Sequence, residues 1–181
     1  MESVGKYAMK LGEKAKAFSL PGTDGKQHSL ADFRKELLVI FFSCNHCPYA
    51  QAYEQRVMRL QKEFSAKVDF IAINSNDDEK YPEDGFAQMK ERAAALQYNF
   101  MYLRDAMQAV AKMYGGECTP HFFVFDKERK LRYQGRCDNN WKDEKAVTQH
   151  ELNDAIVALL AGKPVLTPIT NALGCSIKWK E

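Results

Sequence analysis

The stretch from Leu37 to Asn74 leaves few ways to fold. Leu37-Leu38-Val39-Ile40-Phe41-Phe42 is an unbroken apolar run, the pattern of a strand covered on both faces. Val68-Asp69-Phe70-Ile71-Ala72-Ile73-Asn74 is a second such segment. Between them Tyr49, Tyr53, Val57, Leu60 and Phe64 recur at spacings of four, four, three and four, which is one face of an amphipathic helix. Two buried strands joined by a helix pair in parallel through a right-handed crossover. A β-α-β unit is therefore expected, and at its first junction stands Cys44-Asn45-His46-Cys47-Pro48.

The flanking sequence extends this unit. Phe18-Ser19-Leu20 and Gln27-His28-Ser29 bracket the turn signal Asp24-Gly25, which predicts a small N-terminal β-hairpin behind a loose polar lead-in over 1–17. Phe86, Met89, Ala93 and Leu96 predict a helix, Phe100 to Leu103 a short strand, and Met107, Val110 and Met113 or Tyr114 another helix closed by Gly115-Gly116. Phe122 to Phe125 and Leu131 to Gln134 flank a polar turn and should pair antiparallel. Thr148 and Glu151 have capping-box spacing before a last helix that carries Leu152, Ile156 and Leu159 and stops at Gly162. No repeat or Pro/Gly-rich linker divides the 181 residues. The expectation is one α/β domain over 1–181, its core about 12–162, with a central mixed sheet flanked by helices and a tail over 163–181.

Charge and cysteine count narrow the class. With 26 basic and 24 acidic residues, the net charge of +2 gives no electrostatic reason to expect nucleic acid or an anionic membrane as partner. No run approaches the roughly 18 apolar residues of a membrane span. The segment from Met1 to Lys10 has no apolar core of a signal peptide, so the expectation is cytoplasmic. Five cysteines cannot all pair within one chain, and a reducing compartment with one catalytic pair fits them better than a disulfide framework.

Cys44 and Cys47 carry the chemistry. A thiol reacts as its thiolate, and the positive end of the following helix stabilises negative charge there. Two intervening residues set Cys47 one turn from Cys44, within reach of a disulfide, and Pro48 suits the first helical position. Asn45 and His46 lie between the sulfurs and tune them; a protonated His46 would favour the thiolate and the reduced form. No cofactor beyond a Cys44–Cys47 disulfide is needed. The competing readings are metal ligation and an inert pair. Zinc would want a second cluster, whereas Cys118, Cys137 and Cys175 are singletons, so no metal is expected.

Glu117-Cys118-Thr119-Pro120-His121 precedes the strand from Phe122. Proline there is compatible with simple edge tolerance, or with a cis-proline loop facing the cysteines, Thr119 offering backbone groups to an incoming peptide.

The CNHCP segment, Thr119-Pro120 before FFVF, and the opening AFSLPGTDGKQHSLADF resemble the thioredoxin-like superfamily, in particular its redoxin (AhpC/TSA-related), peroxiredoxin-like branch, close to bacterial thioredoxin-like disulfide reductases. The resemblance covers about 12–162. It implies a thioredoxin fold, an exposed nucleophilic Cys44, a resolving Cys47 and a cis Pro120. Two departures matter. Peroxiredoxins carry Pro-x-x-x-Thr/Ser-x-x-Cys, and those positions are Leu37 and Phe41 here, so the hydroxyl that orients a peroxide is missing. Thioredoxin carries a buried aspartate six residues before its first cysteine, where this chain has Leu38.

The functional expectation is a thiol–disulfide oxidoreductase acting on protein or small-molecule disulfides with a separate electron donor. The alternatives are a thiol peroxidase on the same fold and, behind it, a metal- or cluster-binding module using Cys44, Cys47 and His46. Cys175 is a possible third redox thiol, or a small buried residue in a tail docked by Ile177 and Trp179. Cys118 is expected to be structural, Cys137 half-buried and His121 half exposed. The run Asn76 to Lys80 is expected to be a solvated loop, and Trp141 to lie at the site's rim or over a core edge.

Overall fold

A computed structural model of the chain describes residues 9–181. The hairpin strands are β1 (Ser19–Pro21) and β2 (Gln27–Ser29), paired antiparallel. Then follow β3 (Leu37–Phe42), α1 (Pro48–Phe64), β4 (Val68–Asn74), α2 (Phe86–Ala95), β5 (Met101–Arg104) and α3 (Ala109–Tyr114). The last third holds β6 (Cys118–Thr119), β7 (His121–Phe125), β8 (Leu131–Gly135), α4 (Glu151–Leu160) and β9 (Cys175–Ser176).

Five strands form the central sheet in the order β5-β4-β3-β7-β8. β3 lies parallel to β4, with Leu37 opposite Val68 and Phe42 opposite Ile73, and antiparallel to β7, with Phe42 opposite His121. The unbroken apolar run of β3 has the reason expected of it. Leu37, Val39 and Phe41 face one layer with Tyr53 and Val57 of α1, Met89 of α2 and Leu152 and Ile156 of α4. Leu38, Ile40 and Phe42 face the other, with Phe18 and Leu20 from the hairpin side and Val110 and Tyr114 of α3. Aromatic packing ties the layers to β7: Phe41 stacks on Phe122 at 5.1 Å, and Phe42 meets Phe123 edge-on at 5.8 Å. Each such buried ring contributes roughly 1.5–3 kcal/mol by area burial. Among the described residues, no helix is long and apolar enough to cross a membrane.

Several local expectations are corrected. The first eight residues of the predicted lead-in lie outside the described residues, but the rest is not loose: Met9 is buried, and Gly12 and Ala15 donate backbone hydrogen bonds to Leu131 and Arg129. The Thr148–Glu151 capping box does not form. His150 is the N-cap of α4; the Thr148 hydroxyl accepts from Asn139, and Glu151 pairs with Arg136. Long-range partners outcompete the local cap because they also fix the loop after β8.

The tail is part of the structure. It crosses β8 where Gly135 (φ +146°) lets it approach, since a Cβ there would lie 2.0 Å from Thr170 Oγ1. It then returns to pair β9 antiparallel with β6, Thr119 opposite Cys175 and Cys118 opposite Ser176.

Candidate active site

The thiol site forms where β3 ends. Ser43 donates its amide to Ile73, one more rung of the parallel ladder, and the chain then leaves the sheet. The helix begins later than the sequence suggests: Cys47 is the N-cap of α1, with extended φ/ψ of −76° and 119°, and Pro48 is its first residue. The positive helix end therefore acts on Cys47 rather than on Cys44, the Ala50 amide among its groups.

Cys44 and Cys47 are both free thiols, and they hydrogen-bond to each other. The expectation of an exposed Cys44 is wrong: it is 2% exposed, and Cys47 is fully buried. Two residues distant in sequence close in on the pair: Asp84 lies within 4.8 Å of Cys44 Sγ, and Cys175 of the tail packs against the cysteines. Thr119 Oγ1 is 3.4 Å from Cys44 Sγ, and the Cys47 thiol donates to the Thr119 carbonyl at 3.0 Å. The Thr119–Pro120 bond is cis, as the resemblance implies.

The two thiols ionise as a unit. Cys47 is pulled down to about 4, first by the hydrogen bond from Cys44 and, after burial acting the other way, by the Cys175 thiol. Cys44 is pushed up by that same shared hydrogen bond, by burial and by the charge of Asp84. The Thr119 carbonyl opposes this split, since it favours a proton on Cys47, while the Thr119 hydroxyl can donate to Cys44. The net effect on the pair is plain: the first proton leaves easily and the second with difficulty.

Asp84 was missed in the sequence. It sits on a 3-10 turn (Pro82–Asp84), has no exposed surface, and is the target of four donors. The Asn45 amide and His46 Nδ1 each reach it at 2.6 Å, Asn76 Nδ2 at 2.8 Å and Asn74 Nδ2 at 3.4 Å. Such a set matches the acceptor capacity of a carboxylate. His46 is also stacked on Tyr81 at 5.3 Å. The expected role for His46, a cation favouring the thiolate, is thus redirected: its Nδ1 faces Asp84, and the charge felt by Cys44 is the aspartate's. Asp84 brings to the thiols the buried acid that Leu38 does not supply. The only sequence signal was Tyr-Pro-Glu-Asp-Gly, which reads as an ordinary turn.

The run Asn76 to Lys80 is a solvated loop only in its second half, where Glu79 and Lys80 are exposed. Asn76 and Asp77 are buried, and Asn76 bonds Asp84 on one side and the Lys178 amide on the other. Asn45, held by Glu83 and Tyr102, is a positioning residue. His121 is buried rather than half exposed, packed on Phe123 at 4.3 Å. Cys137 is likewise buried, in the core cluster under α4. Cys118 is buried, its thiol raised to about 12 by burial first. Trp141 packs on Tyr49 at 4.1 Å, near the site. Cys175 packs against Cys44, Cys47 and Ala50 and hydrogen-bonds Cys47.

Ligand atoms of Cys44, His46 and Asp84 lie within 4.8 Å of one another, close enough to share a metal ion. His46 Nδ1 and Asp84 are already bonded, however, and every oxygen of Asp84 has a protein donor.

Comparison with known proteins settles the family. The family model described as Redoxin matches residues 10–154. The chain belongs to the Redoxin family. Membership makes this redoxin a thiol redox enzyme. It is 41% identical to an uncharacterized conserved protein from Geobacillus kaustophilus, over 94% of this chain and 93% of that one, with a TM-score of 0.89. A hypothetical protein from Sinorhizobium meliloti 1021 is 36% identical over 96% of both chains, with a TM-score of 0.90. The pneumococcal exposed lipoprotein thioredoxin of Streptococcus pneumoniae strain TIGR4 is 23% identical over 81% of this chain and 99% of that one, at 0.62, and shows that the fold is thioredoxin-like. No curated protein matches the sequence.

Proposed function

We propose that this redoxin is a cytoplasmic thiol–disulfide oxidoreductase in which Cys44 and Cys47 cycle between dithiol and disulfide. The observation that carries the reading is the mutual hydrogen bond of two free thiols whose first ionisation is lowered, held against Thr119 of the cis-proline loop. A thiolate available at neutral pH beside a second thiol is what disulfide exchange requires. The pair shares one proton across its mutual hydrogen bond. With that proton on Cys47, where the Thr119 carbonyl accepts it, Cys44 attacks a sulfur of the partner disulfide as thiolate, and one partner thiolate leaves and takes a proton. Cys47 then attacks Cys44, closing the Cys44–Cys47 disulfide and freeing the other partner thiol. A dithiol donor resets the pair. Burial of both sulfurs means that the partner reaches Cys44 only when the cover over it opens.

One observation favours peroxide as a second substrate. A hydroxyl is absent at Phe41, but Thr119 brings one within 3.4 Å of Cys44 Sγ. Parallel kinetics with insulin disulfide and hydrogen peroxide, on wild type and Cys44→Ser, separate the two. Disulfide reduction that dominates and vanishes in Cys44→Ser supports the first reading. Peroxide turnover far outrunning it replaces that reading with the second. Stoichiometric bound metal that is lost in Cys44→Ser would replace both.

A further inference from the structure

The edge of Thr119 is where a partner peptide would add as a strand, and that edge is already occupied. β9 lies antiparallel on β6 with Cys175 opposite Thr119. Gly174 makes the approach possible, since a Cβ there would lie 2.1 Å from the Thr119 carbonyl oxygen. The segment is fastened just beyond Cys175. Ile177 is buried and donates its amide to Glu117, the Lys178 amide donates to Asn76, and Gln108 bonds the backbone at Lys178 and Lys180.

This is strand addition of the kind by which domains capture extended peptides, performed here by the chain on itself. It sets a third thiol against the CxxC pair. Of the three sulfur-bearing residues in the cluster, Cys175 alone is more than marginally exposed. A tethered thiol in contact with Cys47 also has a large kinetic advantage over one arriving from solution.

We propose that the C-terminal strand is a built-in substrate mimic, and that Cys175 relays electrons between an external dithiol and the buried Cys44–Cys47 pair. The proposal rests on the disulfide-exchange reading above. After a cycle has left the Cys44–Cys47 disulfide, the Cys175 thiolate attacks Cys47 Sγ. The Cys44–Cys47 bond breaks, its electron pair leaves on Cys44, and Cys44 takes up the proton that Cys175 gave up. The new Cys47–Cys175 disulfide places one sulfur on a residue that is only half-buried. A dithiol donor attacks that sulfur, Cys47 leaves as thiolate and takes a proton, and the donor's second thiol closes the donor's own disulfide and frees Cys175. Two electrons and two protons pass from the donor to the pair.

The test has two arms on the full chain. Cys44→Ser is oxidised with hydroxyethyl disulfide, blocked with N-ethylmaleimide and peptide-mapped. A Cys47–Cys175 disulfide in most molecules is expected; a free Cys175 beside an oxidised or blocked Cys47 overturns the relay. In the second arm, oxidised Cys175→Ser and Cys175→Ala are re-reduced by dithiothreitol in stopped flow, and rates at least tenfold below wild type are expected. Rates equal to wild type in both variants overturn the relay. A wild-type protein that reduces no disulfide defeats the function proposed above, whereas a missing cross-link in a protein that does turn over defeats the relay alone.

Discussion

His46 gives Asp84 a 2.6 Å hydrogen bond, and Asp84 has no surface in contact with solvent. A buried carboxylate left without its charge or its shape strands the donors aimed at it, which is costly. Asp84→Ala should lower stability by about 3 kcal/mol, measured by urea denaturation. Asp84→Asn keeps the shape and removes the charge. Cys44 is raised by its bond to Cys47, by burial and by Asp84, so this variant should move the second thiol ionisation down, read as faster alkylation of the Cys44 thiol by iodoacetamide than in wild type at the same alkaline pH. An unmoved ionisation in Asp84→Asn means that the aspartate does not reach the thiols.

The thiol pair should hold a thiolate well below neutral pH. Because the first ionisation is lowered to about 4, the anion is present above that value and is lost as pH falls through it. The thiolate absorbance of the reduced protein, read against the oxidised protein, should persist from about pH 8 to about pH 5. Fading of that signal near pH 8 or 9, where a free cysteine titrates, would falsify the coupling.

His121 predicts an acid limb in stability. Burial lowers its pKa to about 4, and the Glu117 amide donates to its Nδ1, which requires that nitrogen unprotonated. The unfolded chain binds the extra proton below about 6.5, the folded chain only below about 4, so stability falls as pH drops through that window. The loss should total about 3 kcal/mol. Denaturation midpoints measured across this range should flatten in His121→Phe.

Arg56 and Asp138 form a buried ion pair at 2.7 Å, and Arg56 also donates to the carbonyls of Asn140 and Trp141. The pair fastens the loop that carries Trp141 to α1. Arg56→Met should cost about 3–5 kcal/mol, because Asp138 remains buried without its cation. Arg56→Met with Asp138→Leu should recover much of that loss. A single variant as stable as wild type means that the loop is held by other contacts.

Features within a few residues of one another in the sequence were the legible ones. The six apolar residues of β3 and the face of α1 announced the β-α-β unit, and the structure built it in the register those runs allow. The same locality limited the reading of the site. Asp84 is 38 residues beyond His46 and Cys175 is 128 beyond Cys47, and neither carries a spacing that links it to the pair. His121 looked half exposed as the first residue of an edge-like strand, but β7 lies inside the sheet, between β3 and β8. The Thr148–Glu151 box failed for the opposite reason: a local motif was present, but distant partners took both of its side chains.

The place of the tail also orders events at the ribosome. Chains are made from the N-terminus at roughly 5–20 residues per second, and Cys175 is added 128 residues after Cys47. Each nascent chain therefore spends on the order of ten seconds with its cysteine pair made and the strand that caps it not yet synthesised. During that interval the thiols are open to whatever disulfides and oxidants surround the translating complex, an exposure that ends only once the segment bearing Cys175 has been made.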